Sequence, residues 1–71
     1  MLKFGLIGCG RIGSTHADIL HQENDVILDS LFDLNTNLAK EVSKKTGAKI
    51  CNHDFELFDN NNLDAVLIAS A

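Results

Sequence analysis

Apolar and polar positions follow two different periodicities along the chain, and each periodicity predicts a different element. The apolar run from Leu2 to Ile7 is typical of a buried strand. In the next segment, Arg11 to Gln22, apolar positions recur at the spacing of one helical face, which predicts a helix. The residues expected on the buried face of that helix are Ile12, His16, Ile19 and Leu20.

A second strand and a second helix follow in the same order. The segment from Val26 to Phe32 is largely apolar, as expected for a parallel strand that is covered on both faces. Asn35 is a suitable N-cap, because its side-chain oxygen can accept a hydrogen bond from an unpaired backbone N–H. Gly47 is typical of the residue that follows a helix C-terminus. The residues expected on the buried face of this helix are Leu34, Leu38 and Val42.

The rest of the chain repeats the alternation over shorter elements. We expect a short strand around Lys49 to Cys51, one or two helical turns from a cap at Asp54 through Phe58, and a fourth strand over Ala65 to Ala69. The order is therefore β-α-β-α-β-α-β, with short connections. Such an order predicts an α/β fold with a parallel sheet, right-handed crossovers and the strand order 3-2-1-4.

Size and composition narrow the functional classes. A chain of 71 residues forms one domain at most. Its two cysteines are far apart and outside any metal-binding spacing, which favours reduced thiols and a cytoplasmic protein. The net charge of −4 argues against a nucleic-acid or anionic membrane partner. The N-terminal apolar run is too short for an export signal, and no segment approaches the roughly 20 apolar residues of a membrane span.

Three glycines in a GxGxxG pattern lie between the first predicted strand and the first predicted helix. Gly8 permits a tight turn, Gly10 lets the backbone approach a pyrophosphate, and Gly13 lets the helix pack closely on the sheet. The backbone N–H groups of Arg11 and Ile12 then lie at a helix N-terminus, which favours an anion. This context predicts a dinucleotide site of the Rossmann type, and the alternative is an ordinary glycine-rich turn.

Asp33 ends the second predicted strand, 20 residues after Gly13. A carboxylate at this position can accept hydrogen bonds from the adenosine ribose hydroxyls, and it repels a 2′-phosphate. The next three residues include no Arg or Lys that could hold such a phosphate. We therefore expect the cofactor NAD rather than NADP. The alternative is that Asp33 is a turn or helix-capping residue.

The segments KFGLIGCGRIGSTHADIL and LDAVLIASA, with the strand ending in Phe32 and Asp33 between them, resemble the N-terminal half of the Gfo/Idh/MocA oxidoreductases. The GRIGSTHA segment is most similar to the inositol 2-dehydrogenase-like members. The resemblance implies an NAD(P)-dependent dehydrogenase that transfers hydride between the nicotinamide and a polyol or sugar derivative, and Asp33 favours NAD as its cofactor. The cofactor-binding residues that it implies are Gly8, Gly10, Arg11, Ile12 and Gly13 at the pyrophosphate, Asp33 at the ribose, and Ser70 after the fourth strand.

The resemblance also implies that no catalytic residue lies in these 71 residues. The lysine of the family's Glu-Lys-Pro motif and its Asp/His pair lie further along, and this sequence has no proline. We expect residues 1–71 to be the truncated N-terminal portion of a dinucleotide-binding domain, a parallel-sheet Rossmann-type half domain without the catalytic and substrate domain. The alternatives are a stand-alone, non-catalytic nucleotide-binding module and an inactive gene fragment. An unprotected fourth strand would be an apolar edge, so we expect self-association.

The remaining histidines and cysteines are expected to be structural. His16 is expected to be packed rather than catalytic, because no acid, base or metal partner lies at motif spacing. His21 and His53 fall near turns, where solvent should surround them. The histidines and cysteines have no metal-ligand spacing, so we expect no metal. Cys9 lies near a helix N-terminus, which could lower its pKa, but no base accompanies it.

Overall fold

A computed structural model of the chain describes residues 1–69, which form an alternating series of strands and helices. The order of the elements is the one that the hydrophobic pattern predicts. The strands are β1 (Leu2–Ile7), β2 (Val26–Phe32), β3 (Lys49–Ile50) and β4 (Ala65–Ile68), and the helices are α1 (Arg11–Gln22), α2 (Thr36–Thr46) and α3 (Phe55–Phe58).

The strands form one parallel sheet in the order β3-β2-β1-β4, which confirms the predicted order. Ile7 at the end of β1 pairs with Phe32 of β2 on one side and with Ile68 of β4 on the other. The carboxyl ends of these three strands therefore lie at the same edge of the sheet. Open α/β sheets bind ligands at this carboxyl edge, where the strand order reverses.

The core lies between the central strands and the two longer helices. Leu6 of β1 and Leu31 of β2 have no exposed surface, and they pack with Ala17 of α1 and with Ala39 and Val42 of α2. Burial of one leucine side chain stabilises a fold by roughly 1.5–3 kcal/mol. These contacts attach both helices to the two central strands, whose ends lie at the carboxyl edge of the sheet.

The buried face of α1 differs from the predicted one. Gly13 and Ala17 are buried, whereas Ile12 and Ile19 are 60% and 53% exposed. The assignment of the two isoleucines to the buried face was wrong, because the helix approaches the sheet through its smallest residues. A bulky side chain on the contacting stripe would hold the helix away from β1.

The predicted position of Leu34 on the buried face of the second helix was also wrong. Helix α2 begins at Thr36, so Leu34 precedes it and is 90% exposed. Leu38 is half-buried and Val42 is buried, as the spacing predicts. An i, i+4 pattern cannot distinguish a residue before the helix from one in its first turn.

Polar and glycine residues define the ends of the second helix as predicted. The Oδ1 atom of Asn35 accepts hydrogen bonds from the backbone N–H groups of Asn37 at 3.0 Å and Leu38 at 3.3 Å. Gly47 ends the helix at φ 79°, which a residue with a side chain rarely adopts. By contrast, Asp54 precedes α3 but makes no capping hydrogen bond with its side chain, so the predicted cap there was wrong.

A close backbone approach joins α1 to the turn after β1. A Cβ atom on Gly13 would lie 1.8 Å from the carbonyl oxygen of Gly8 and 2.7 Å from its carbonyl carbon. Both atoms belong to the backbone, which cannot move aside as a flexible side chain could. Only glycine at position 13 therefore permits this separation between helix and turn.

We expect Gly13→Ala to lower the free energy of unfolding by at least about 2 kcal/mol, because the overlap outweighs the roughly 1 kcal/mol that alanine gains in helix propensity. Gly10→Ala is the matched control, since a Cβ atom there meets nothing within 4 Å and its φ is −71°. Urea unfolding followed by circular dichroism measures both variants. A Gly13→Ala chain as stable as the parent would contradict the close approach.

Candidate functional site

The loop between β1 and α1 turns sharply and leaves the start of the helix open. Gly8 has a φ of 97°, a region that glycine adopts without strain. Its N–H donates a hydrogen bond of 2.9 Å to the carbonyl of Phe32, which holds the turn against the end of β2. Gly10 occupies the N-cap position, and no side chain caps the helix. The first amides of α1, including those of Arg11 and Ile12, therefore have no partner within the helix.

A cleft of about 690 Å³ opens beside this helix N-terminus. Its volume falls in the range of roughly 300–1,000 Å³ that is typical of small-molecule sites. The glycine loop, the ends of the three adjacent strands and the segment before α3 all contribute to its walls. The cofactor-site residues from the sequence that line it are Gly8, Gly10, Arg11, Ile12 and Asp33.

One described residue of the expected site, Gly13, does not line the cleft. Gly13 lies behind the glycine loop, where it permits the contact between α1 and Gly8. Its contribution to a ligand site would therefore be indirect. Ser70 lies outside the described residues.

Asp33 lies at the point where two loops of the cleft meet. Its Oδ2 atom accepts a hydrogen bond of 2.6 Å from the backbone N–H of Cys9. Its Oδ1 atom accepts one of 2.7 Å from the backbone N–H of Asn35. Both oxygens of Asp33 therefore accept from backbone N–H groups of neighbouring loops. An ionised carboxylate has about four acceptor positions, so it retains capacity for a further donor from a ligand in the cleft.

The cleft also includes residues to which sequence reasoning gave no role at a ligand site. Leu34, His53 and Asp54 line the wall next to Asp33. The ring of His53 stacks on Phe55, with centroids 5.0 Å apart and planes inclined by 12°. The predicted strand order could have revealed this wall, because it places the loop after β3 beside the loop after β2.

The Cys9 thiol lies in the core rather than at the helix N-terminus. It is 2% exposed, and its Sγ atom is 3.9 Å from the carbonyl oxygen of Phe32. Burial, and secondarily the negative charge of Asp33, raises the pKa of Cys9 to about 11. The suggested lowering of this pKa by the helix was therefore wrong, because it depends on which way the side chain points.

Neither a cluster of metal ligands nor a membrane-spanning helix occurs in the described part of the chain. Residues 1–69 contain no group of three His, Cys, Asp or Glu side chains arranged to hold a metal ion. Within the same residues, no helix has the length and apolar character needed to cross a bilayer.

Comparison with protein families and sequences gives a consistent result. The model of the Gfo/Idh/MocA oxidoreductase family, NAD-binding Rossmann fold, matches residues 2–71. The myo-inositol 2-dehydrogenase of Thermotoga maritima is 37% identical over 71 residues, which are 99% of this chain and 21% of that protein. The L-aspartate dehydrogenase of Methanocaldococcus jannaschii is 36% identical over 73 residues, with 100% of this chain and 27% of that protein covered.

Solved structures of related proteins share the fold. A myo-inositol dehydrogenase from Corynebacterium glutamicum matches 100% of this chain and 21% of its own with a TM-score of 0.89 and 28% identity. A myo-inositol dehydrogenase from Lactobacillus casei, in complex with NAD(H) and myo-inositol, matches 99% of this chain and 22% of its own with a TM-score of 0.91 and 26% identity. The chain thus spans about a fifth of the length of these structures.

The raised pKa of Cys9 makes stability depend on alkaline pH. An exposed thiol titrates near 9.0, whereas the pKa of Cys9 in the folded chain is about 11. Between these values the unfolded chain has lost a proton that the folded chain keeps, so the free energy of unfolding falls as pH rises. We expect a decrease of up to about 2 kcal/mol from Cys9. Burial also raises the pKa of Cys51, which acts in the same direction.

Cys9→Ala isolates the contribution of Cys9, because alanine occupies the position without titrating. Urea unfolding of the parent and the variant is compared at about pH 7.5 and about pH 10.5. The stability of the parent relative to Cys9→Ala should decrease at the higher pH. A stability difference that does not change with pH would contradict the buried position of the thiol.

Proposed function

Because the chain belongs to the Gfo/Idh/MocA oxidoreductase family, we propose that residues 1–71 form the N-terminal portion of the dinucleotide-binding domain of an NAD-dependent dehydrogenase. The observation that carries this proposal is the cleft beside the uncapped N-terminus of α1. Unpaired amides and the positive end of a helix dipole favour an anion such as a pyrophosphate.

The proposed roles follow from the position of each residue in the cleft. The amides of Arg11 and Ile12 would donate hydrogen bonds to the pyrophosphate. Gly10 leaves open space above the backbone, so that a phosphate can approach it closely. Gly8 and Gly13 would support this loop from behind. The remaining acceptor capacity of Asp33 would bind the adenosine ribose, and Ser70 stays a proposed contact from the family resemblance.

The preference for NAD over NADP rests on the charge of Asp33. Its carboxylate lines the cleft and would face a 2′-phosphate at short range. Two negative charges in such contact repel each other, and more strongly where protein reduces access of water. The neighbouring wall adds Asp54, which is also acidic, and the hydrophobic Leu34. Neither side chain can neutralise a second phosphate.

The reaction that we propose for the whole protein is hydride transfer between the nicotinamide and a polyol or sugar derivative. The inositol 2-dehydrogenases of Thermotoga maritima and Rubrobacter xylanophilus support this substrate class. The bound cofactor supplies the redox chemistry, and the residues described here bind and orient it. The L-aspartate dehydrogenase with 36% identity makes an amino acid the second substrate class to assay with the whole protein.

A cytoplasmic location and the absence of nucleic-acid partners complete the proposal. The cysteines at positions 9 and 51 are unpaired and buried, which is the usual state of thiols in a reducing compartment. The net charge of −4 disfavours binding to nucleic acid.

We expect NAD⁺ to bind at least about tenfold more tightly than NADP⁺, which corresponds to about 1.4 kcal/mol. Isothermal titration calorimetry of the 71-residue chain with each cofactor measures the difference.

Gly10→Ala should weaken the binding of NAD⁺ without loss of stability, because its Cβ atom adds bulk beside the phosphate site. Lys44→Ala, an exposed change on α2, is the control. Tighter binding of NADP⁺ would contradict the role of Asp33, and a folded chain without affinity for NAD⁺ would contradict the cofactor assignment.

We propose that the 71-residue chain associates with itself through β4. This strand pairs with β1 along one edge, and the described residues supply no strand for its other edge. Ile68 on β4 is 60% exposed. Edge strands with exposed apolar residues pair with other chains, whereas a charge on the edge opposes such pairing.

Sedimentation velocity over a range of concentrations tests the association. The apparent mass of the parent should rise with concentration, and Ile68→Lys should reduce this rise. Ile19→Lys is the matched control, because it changes an isoleucine of similar exposure on α1. A parent chain that stays monomeric throughout would contradict the proposed edge contact.

A further inference from the structure

The carboxylate of Asp33 joins two loops of the cleft in the chain without a ligand. The contact with the Cys9 amide connects residues 24 apart in sequence, from the end of β2 to the glycine loop. The contact with the Asn35 amide closes a local turn before α2. Because both oxygens accept from the backbone, the orientation of the carboxylate is fixed by the fold. We call the Asp33–Cys9 contact the loop tether.

The loop tether is the charged member of a set of contacts on one side of the glycine loop. The N–H of Gly8 and the thiol of Cys9 both face the carbonyl of Phe32, at 2.9 Å and 3.9 Å. A hydrogen bond from an amide to a carboxylate is roughly twice as strong as one between neutral groups. The loop tether is therefore the strongest link between the end of β2 and this loop.

On its other side the loop is joined to α1 by the backbone, where the carbonyl of Gly10 accepts a hydrogen bond of 2.7 Å from the N–H of Ser14, and no side chain supports it there. Gly10 has open space around its Cα atom, and the helix that follows it has no side-chain cap. Glycine has more backbone freedom than any other residue, so the loop would sample several conformations without an external link. Whatever holds Cys9 therefore limits the positions that the Gly10 amide can take.

We propose that Asp33 is a positioning residue for the phosphate-binding loop, in addition to its proposed role at the ribose. Through the Cys9 amide, its carboxylate holds the loop in the conformation that presents Gly10 and the first amides of α1 to a pyrophosphate. The ligand in this statement rests on the proposed function, whereas the loop tether is a property of the chain alone. Removal of the carboxylate should consequently weaken a phosphate ligand that Asp33 does not touch.

Simple electrostatics makes the opposite prediction for the same change. Loss of a negative charge near an anion site should strengthen the binding of an anion. Inorganic pyrophosphate is a suitable probe, because it has no ribose for Asp33 to bind. The sign of the change in its affinity therefore separates a positioning role from a purely electrostatic one.

Asp33→Asn is the test variant, because it replaces one of the two acceptor oxygens by an NH₂ donor, so that one of the two backbone N–H groups loses its acceptor, and it removes the negative charge from the other contact. Asn35→Ala is the matched control. It removes the side-chain cap of α2 but leaves Asp33 and the backbone N–H of residue 35 in place. Loss of such a cap costs about 1 kcal/mol, so the control tests for nonspecific loss of stability. Asp33→Glu keeps the charge, displaces the carboxylate by one methylene and serves as a second variant if Asp33→Asn does not fold.

Two measurements on each folded variant decide the proposal. In ¹⁵N-¹H correlation spectra, the Cys9 amide proton should be shifted downfield in the parent and move upfield in Asp33→Asn. In Asp33→Asn, titration with inorganic pyrophosphate should show an affinity about fivefold or more below that of the parent, which corresponds to about 1 kcal/mol. The chemical shift of the Cys9 amide proton and the affinity for pyrophosphate should both be unchanged in Asn35→Ala. Asp33→Glu should also weaken the binding of pyrophosphate, as Asp33→Asn does.

Unchanged or tighter binding of pyrophosphate by the Asp33 variants would overturn the positioning role. If the parent binds neither pyrophosphate nor NAD⁺, the proposed function fails for this chain. In that case the proposed positioning of a phosphate-binding loop also fails, even where the Cys9 amide still reports the loop tether. An amide signal that does not move in Asp33→Asn would show that the loop tether itself is absent.

Discussion

The close approach of Gly13 to the carbonyl of Gly8 is the constraint on which the rest of the site depends. It brings the first turn of α1 against the end of β1, so that the helix begins at the edge of the sheet rather than above its face. Gly13 and Ala17 of α1 then bury against the central strands, whereas Ile12 and Ile19 remain exposed. An uncapped helix N-terminus at the carboxyl edge of a parallel sheet is the direct result.

Hydrogen-bond donors with partial positive charge and a negatively charged acceptor then lie side by side in one cleft. The helix N-terminus contributes unpaired amides, and the end of β2 contributes the carboxylate of Asp33. A dinucleotide carries complementary groups in the same order, with an anionic pyrophosphate beside the hydroxyls of a ribose. This correspondence supports the proposed dinucleotide site in a segment that spans about a fifth of its dehydrogenase relatives.

Local patterns predicted the order of the elements and the glycine loop correctly, because strand and helix periodicities, the Asn35 cap and the Gly47 terminus act over a few residues. The features that failed depend on tertiary contacts. Ile12 and Ile19 are exposed because the α1 contact selects small residues, and Leu34 is exposed because the helix starts after it. Cys9 has a raised pKa because its side chain enters the core. His53 is exposed, as predicted, and it lies in the wall of the cleft because β3 pairs with β2.

The central claim is that the glycine loop and Asp33 bind the two halves of the adenosine diphosphate portion of NAD. A crystal structure of the 71-residue chain with NAD⁺ tests it most directly. The account predicts pyrophosphate oxygens within hydrogen-bonding distance of the Arg11 or Ile12 amides, and a ribose hydroxyl donating to Asp33, whose contact with Cys9 persists. A cofactor bound elsewhere, or with its pyrophosphate away from the start of α1, would contradict the account.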